Sequence, residues 1–291
     1  MKRFALIFLT LAVVLSTVVA QQRRFRGGGG GRGGEWGEGG WISDDTKTAR
    51  EVASHSTGTP NWTNAPGFEK DVFTFVRVRR ERSPYERGGS WSTDTPDSDL
   101  NFSYRLQQMT SIKVDPNGRF LRLTDSDLSD YPFIYMVEPG SLLLNDEEVV
   151  ALRKYLLNGG FLMLDDFWGE REWAVMEREI KKVFPDRNFT ELSLDHPIYH
   201  CVFEIKTKGQ VPGIRSWEAS GGDTSERSDS REVHHRAIFD DKGRMMMIAT
   251  HNTDNGDGWE REGESPQYFR QFSEKIAYPL GINIIFYAMT H

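Results

Sequence analysis

Two short, unbroken apolar runs, FIYMV at 133–137 and FLML at 161–164, most constrain what this chain can fold into. Apolar runs of that length without polar alternation suit strands buried on both faces, the situation of a parallel sheet covered by helices. Between them, Asn145 with Glu148 three residues later has the form of a capping box. The helix it opens extends to about Leu157, and Asn158, Gly159 and Gly160 stop it. A second amphipathic stretch covers roughly 170–183. The repeated strand–helix order predicts an α/β domain with a mainly parallel sheet.

Further elements fit that class. Residues 71–79 are rich in β-branched and aromatic side chains and predict the first strand. A Gly-containing loop follows at 85–91. Thr95 and Pro96 then open a helix, with Phe102, Leu106 and Met109 spaced to form its core face. Residues 120–123 and 244–249 predict two more strands, and 125–128 a turn. Residues 221–231 form a polar insert expected to be a mobile loop. From about Pro266 the chain is helical, carrying Phe272, Ile276 and Phe286.

The N-terminus is of a different kind. Lys2 and Arg3 precede an apolar run over 4–14, and Val18, Val19 and Ala20 supply small residues before Gln21. That is the three-part pattern of a secretory signal peptide over 1–20. Thr10, Ser16 and Thr17 interrupt the run, which argues against a stable membrane span after cleavage. The expected location is periplasmic or secreted, with an uncleaved anchor in the inner membrane of a bacterium as the alternative. Residues 21–68 are then a Gly/Arg-rich linker and an irregular segment. Ten of the twenty residues at 21–40 are Gly, a composition that cannot offset its ordering entropy and is expected to be disordered. The irregular part is expected to touch the domain through Trp41 and Trp62, and the α/β domain itself to occupy 69–291. Loss of Lys2 and Arg3 with the signal takes the formal charge from −7 to about −9, so nucleic acid is not expected as a partner. Cys201 is the single cysteine, which excludes an internal disulfide.

Several ordered motifs, TDTP at 93–96 with Asp99 and Asn101, YPFIYM at 131–136 and LRKYLLNGGF at 152–161 leading to Asp165 and Asp166, resemble the DUF4159 family. VFP at 183–185, DHPI at 195–198, the stretch 252–259, and GIN at 281–283 with YAMTH at 287–291 extend the resemblance over about 70–291. It implies a three-layer sandwich, flavodoxin-like or class I glutamine amidotransferase-like, and carries no settled activity. Amidotransferase chemistry is not expected here. His200, Val202 and Phe203 crowd Cys201, whereas a nucleophile elbow needs small neighbours.

Candidate chemistry gathers at strand ends, because the carboxyl ends of parallel strands line the ligand crevice of an open sheet. Asp165 and Asp166 close an apolar strand there, followed by Trp168. Two adjacent carboxylates either face a cation such as Mg²⁺ or Ca²⁺ or divide acid and base roles between them. Asp94, Asp99 and Asn101 lie at the start of the helix after the first strand, where helix capping is the competing explanation. His251, Asn252 and Asp254 follow another strand. The stretch from Asn252 resembles a calcium loop but fails its register, since Gly256 stands where a ligand belongs. His196 and His200 have zinc-like spacing, but Pro197 follows the first and no general base lies between them.

These residues predict an exported binding module whose Asp-rich crevice takes a polar small molecule or glycan, with or without a divalent cation. A carboxylate- or metal-dependent hydrolase is the second expectation. The third is a structural part of an envelope complex with protein partners.

Overall fold

The computed structural model describes residues 42–67, 71–81 and 91–291. The signal peptide, the Gly/Arg-rich stretch, Trp41 and nearly all of the loop at 85–91 lie outside the described residues. The chain divides into Met1–Trp36, wholly among the latter, and Gly37–His291, whose fold follows.

Seven strands form one sheet: β1 (Val76–Val78), β2 (Arg119–Leu121), β3 (Phe133–Val137), β4 (Phe161–Asp165), β5 (Thr190–Glu191), β6 (His234–Phe239) and β7 (Met245–His251), in the order β2-β1-β3-β4-β7-β6-β5. The first five of that order run parallel, with Phe133 opposite Phe161 and Leu162 opposite Met247. β6 pairs antiparallel with both β7 and β5, so the sheet is mostly parallel but mixed. The β6–β7 hairpin turns on Asp240, whose carboxylate accepts from the amides of Lys242 and Arg244 at 2.9 Å each.

The apolar runs are the centre of the sheet. Every residue of β3, β4 and β7 is buried. Side chains of a strand alternate between faces, and the sequence supplies an apolar residue to both. Phe133, Tyr135, Val137, Phe161 and Met163 join one core with Phe102 and Leu106 of α1 (Asp97–Met109), Trp259 of α5 (Asn255–Glu260) and the C-terminal helical region. Ile134, Met136, Leu162 and Leu164 join the other with Leu152 and Leu156 of α2 (Asp146–Leu157) and Met176, Ile180 and Val183 of α3 (Gly169–Val183). Each such side chain contributes about 1.5–3 kcal/mol of transfer free energy on burial.

The capping box of α2 is present: Asn145 Oδ1 accepts from the Glu148 amide at 2.9 Å, and Glu148 accepts from the Asn145 amide at 3.0 Å. α1 begins at Asp97, one residue later than its Pro-first reading, and the Thr95 hydroxyl donates to Asp99 at 2.9 Å. Met109, expected on its core face, is exposed because the helix ends there. α4 (Ile214–Ser220) is short, and Pro266–Tyr268 (α6), the π-helical Phe269–Ala277 and Tyr278–Thr290 (α7) succeed one another without a break.

Residues 42–67, irregular apart from one 3-10 turn at Ala49–Glu51, pack against the sheet-bearing part of the chain. Trp62 Nε1 donates to the Val114 carbonyl at 3.0 Å, Arg50 reaches the Pro116 carbonyl at 2.7 Å, and Ala49 is buried beside Leu100 and Phe120. Among the described residues no helix is long and apolar enough to cross a membrane.

Candidate functional site

Of the described non-glycine residues, four have positive φ: Asp94 (64°), Glu138 (50°), Asp166 (55°) and Asn252 (63°). Glu138 follows β3, Asp166 follows β4, Asn252 follows β7, and Asp94 lies in the connection from β1 to α1. All four sit at the carboxyl edge of the parallel strands. A left-handed conformation costs an L-residue free energy, and such conformations concentrate at functional sites because the surrounding structure has to impose them.

Above that edge opens a cleft of about 980 Å³. Its floor is acidic. Carboxylate oxygens of Asp94, Asp166 and Asp254 all lie within 4.8 Å of one another, and Asp94 also meets Asp257 and Glu260 within the same limit. Each member is held from its own segment. The Asp94 carbonyl accepts from the Ser98 amide at 2.9 Å in the first turn of α1. Asp166 Oδ1 accepts from Trp168 Nε1 at 2.9 Å. Asp254 caps α5, its Oδ1 accepting from the Asp257 amide at 2.7 Å. Gly256 stands against Asp94, and a methyl group there would meet the Asp94 carboxylate and the Tyr135 hydroxyl.

Acidic groups held this close disfavour one another's ionisation. Burial first, then the charges of Glu138, Asp94 and Glu226, push the Asp166 carboxyl well above its usual range. Burial together with Asp166 and Asp94 does the same to Asp254. Asp257 is raised by burial and pulled back by Arg261, its partner at 3.0 Å. The group is therefore a strained proton trap on its own, and a matched set of oxygen donors for a hard divalent cation.

Where a folded carboxyl is raised above its unfolded value of 3.8, the native state binds more protons than the unfolded chain across the interval between them. Cation-free stability should be greatest below the unfolded value and fall as pH rises through the raised ones. An Asp166→Asn/Asp254→Asn variant should lose that part of the decline. Thermal midpoints of both proteins from pH 4 to 8 in chelator test it. Parallel profiles would show that neither carboxyl is raised.

The sequence-predicted residues separate into those that meet and those that do not. Asp94, Asp166 and Asp254 converge, and Trp168 lines the same cleft. Asp165 belongs to neither carboxylate group found among the described residues. It is fully buried and accepts from Tyr135 Oη (3.0 Å), Thr250 Oγ1 (2.5 Å), Asn255 Nδ2 (2.8 Å) and the Gly256 amide (3.1 Å). Burial raises its carboxyl, and those four bonds oppose the shift. Asp99 pairs with Arg77 inside the protein. Asn101 donates to the carbonyls of Trp259 and Glu260. Asn252 ties β7 to α3, accepting from the Gly169 amide at 2.8 Å and donating to the Glu232 carbonyl at 2.7 Å. His251 stacks on Phe167, its Nε2 lies 3.1 Å from the Gly169 carbonyl, and burial lowers its pKa to about 4. Trp259, at the end of the 252–259 stretch, is in the core. Cys201 donates to the Pro197 carbonyl, and burial raises its thiol.

Glu138, Asp257 and the insert at 221–231 are functional candidates that the sequence reading missed. Glu138 directly follows an apolar strand, so the rule that singles out Asp166 would have found it. Asp257 lies inside the 252–259 stretch. The insert, expected to be mobile, brings Glu226 and Arg227 to the cleft, and Asp229 accepts from the Glu170 amide at 3.1 Å.

The family model described as Domain of unknown function (DUF4159) matches residues 74–289. Among curated proteins none matches the chain.

Proposed function

The chain belongs to the DUF4159 family, and from its site we propose that it is an exported binding module that holds a polar ligand through a divalent cation on Asp94, Asp166 and Asp254. The observation that carries the reading is the meeting of three carboxylates, from three separate segments, at the carboxyl edge of a parallel sheet. Two of them sit on left-handed backbone. Their mutual repulsion is unfavourable unless a proton or a cation neutralises it, and Mg²⁺ or Ca²⁺ takes oxygen donors of this kind. The signal-like N-terminus supports a periplasmic or secreted location, and the two-faced core supports kinship with flavodoxin-like sandwiches. A metal-dependent hydrolase is the second reading. It is favoured by the raised carboxyls of Asp166 and Asp254, which suit a proton-transfer role.

A ligand that binds only the native state raises its unfolding midpoint. Mn²⁺, Mg²⁺ or Ca²⁺ is expected to raise the midpoint of the full chain, and Asp94→Asn or Asp254→Asn to abolish the rise. Asp165→Asn is expected to retain it if that variant folds. Binding should also release protons and tighten as pH increases, because the ligating groups must ionise. No shift with any of the three metals, or an undiminished shift in Asp254→Asn, would end the cation reading.

A further inference from the structure

The walls of the cleft differ in charge from its floor. Arg171, Val175, Arg178 and Lys182 line it from α3, and their offsets of four, seven and eleven residues place them on one helical stripe. Arg215 at the start of α4 and Arg227 of the insert face the same space. The carboxylates of this wall are fewer than its cations. Arg178 (3.2 Å) and Lys182 (2.5 Å) share the single carboxylate of Glu179, while Arg227 pairs with Glu172. Arg171 has no ion pair or hydrogen bond among the described residues. Five cations of this wall, Arg215 included, thus stand against the carboxylates of Glu172, Glu179 and Glu226, leaving a positive surplus above a negative floor.

The type of cation narrows the ligand. Arginine dominates the lining, with Lys182 as its one lysine, and a guanidinium presents paired N–H donors matched to oxyanions. Mg²⁺-like ions are commonly held by one or two carboxylates and completed by phosphate oxygens. A carboxylate has two oxygens, whereas a phosphate monoester has three terminal ones, enough to bridge a cation below and guanidinium groups above. About 980 Å³ is at the upper end of small-molecule sites, so there is room for the alcohol part as well.

We propose that the ligand class of this cleft is a phosphate monoester, its phosphoryl group lying between the floor cation and the arginines of the α3 wall. This rests on the cation reading above and adds the chemistry of the ligand. The floor alone would repel such an anion, so the ester binds only to the cation-loaded protein. The α3 arginines then set anion affinity without setting cation affinity.

Calorimetric titration of the full chain with Mn²⁺, then of the loaded chain with glycerol 2-phosphate, glycerol and glucuronate, separates these claims. Glycerol 2-phosphate is expected to bind the loaded chain, with glycerol and glucuronate at least about tenfold weaker. Arg171→Gln/Arg178→Gln should weaken the ester about tenfold, the scale of a charge-assisted hydrogen bond, and leave Mn²⁺ affinity within about threefold. Both substitutions are on the exposed side of α3, and an unchanged unfolding midpoint verifies the fold. If Mn²⁺ binds but the ester does not, or glucuronate equals it, or the double variant binds it as well as the native chain, the phosphate inference is overturned and the cation reading stands. Failure of Mn²⁺ to bind overturns both.

Discussion

Replacing Arg77 by alanine is expected to destabilise the protein by about 3–5 kcal/mol, the usual consequence of stripping one partner from a buried ion pair. Arg77 is completely enclosed, on the middle residue of β1. Its guanidinium donates to Asp99 at 2.5 Å, to Ser98 Oγ at 2.8 Å, and to the carbonyls of Trp91 at 3.2 Å and Thr93 at 2.8 Å. It also lies 5.0 Å from the Tyr135 ring centre. The Asp99 charges more than offset the desolvation of Arg77, so it stays protonated. Alanine would leave the buried Asp99 carboxylate without its charge partner and two carbonyls without their donor. Because the Thr93 carbonyl adjoins Asp94, the same change should loosen the cation site. The Arg77→Ala/Asp99→Ala pair should cost clearly less than the two single changes added together. Urea unfolding of the three variants checks this. A loss below about 1 kcal/mol for Arg77→Ala, the size of an ordinary substitution, would mean the network is not as drawn.

This arginine illustrates what the sequence could not disclose. In 71–79 it reads as one polar residue between the apolar Val76 and Val78, and only the fold brings Trp91, Thr93, Ser98 and Asp99 around it. The central strands were legible because burial on both faces leaves a local signature: β3 begins and ends where its apolar run does, and β4 extends one residue past its run, to Asp165. The antiparallel β6 was not, because His234, His235 and Arg236 interrupt the apolar pattern toward the sheet margin. Register with β7, where His234 faces His251, is a long-range property. The Trp62 contact was legible from an aromatic residue in a polar stretch, while the anchoring of Arg50 was not.

At the candidate site, the strand-end rule points to the edge of the sheet where Asp94, Asp166 and Asp254 converge. It does not resolve which side chain of an adjacent pair enters the cleft. That depends on φ at one residue: Asp165 completes a regular strand and points inward to the N-terminus of α5, whereas left-handed Asp166 turns its carboxylate to Asp94 and Asp254. Strand-end position likewise selected Asn252, which proved to be a tie between β7 and α3.

The two neighbours should consequently respond in opposite directions to the same substitution. Each Asp165 oxygen accepts from one group able only to donate, Asn255 Nδ2 on Oδ1 and the Gly256 amide on Oδ2. An asparagine NH₂ at the Oδ2 position would confront the Gly256 amide, and one at the Oδ1 position would require the Asn255 amide to turn over. Either rearrangement disturbs a buried hydrogen bond, at a cost of about 1–3 kcal/mol, so Asp165→Asn is expected to lose about that much stability. Asp166 has the contrary problem, because burial and its acidic neighbours already oppose its charge. Its Oδ1 contact with Trp168 Nε1 is kept by an asparagine carbonyl. Cation-free Asp166→Asn should therefore unfold at a higher temperature than the native chain at neutral pH, and gain nothing when metal is added. Thermal unfolding of both variants, with chelator and with Mn²⁺, measures the contrast directly. If Asp165→Asn were neutral and Asp166→Asn strongly destabilising, the roles of the two carboxylates would have to be exchanged. The cation would then belong on the strand end itself and not on the turn that follows it.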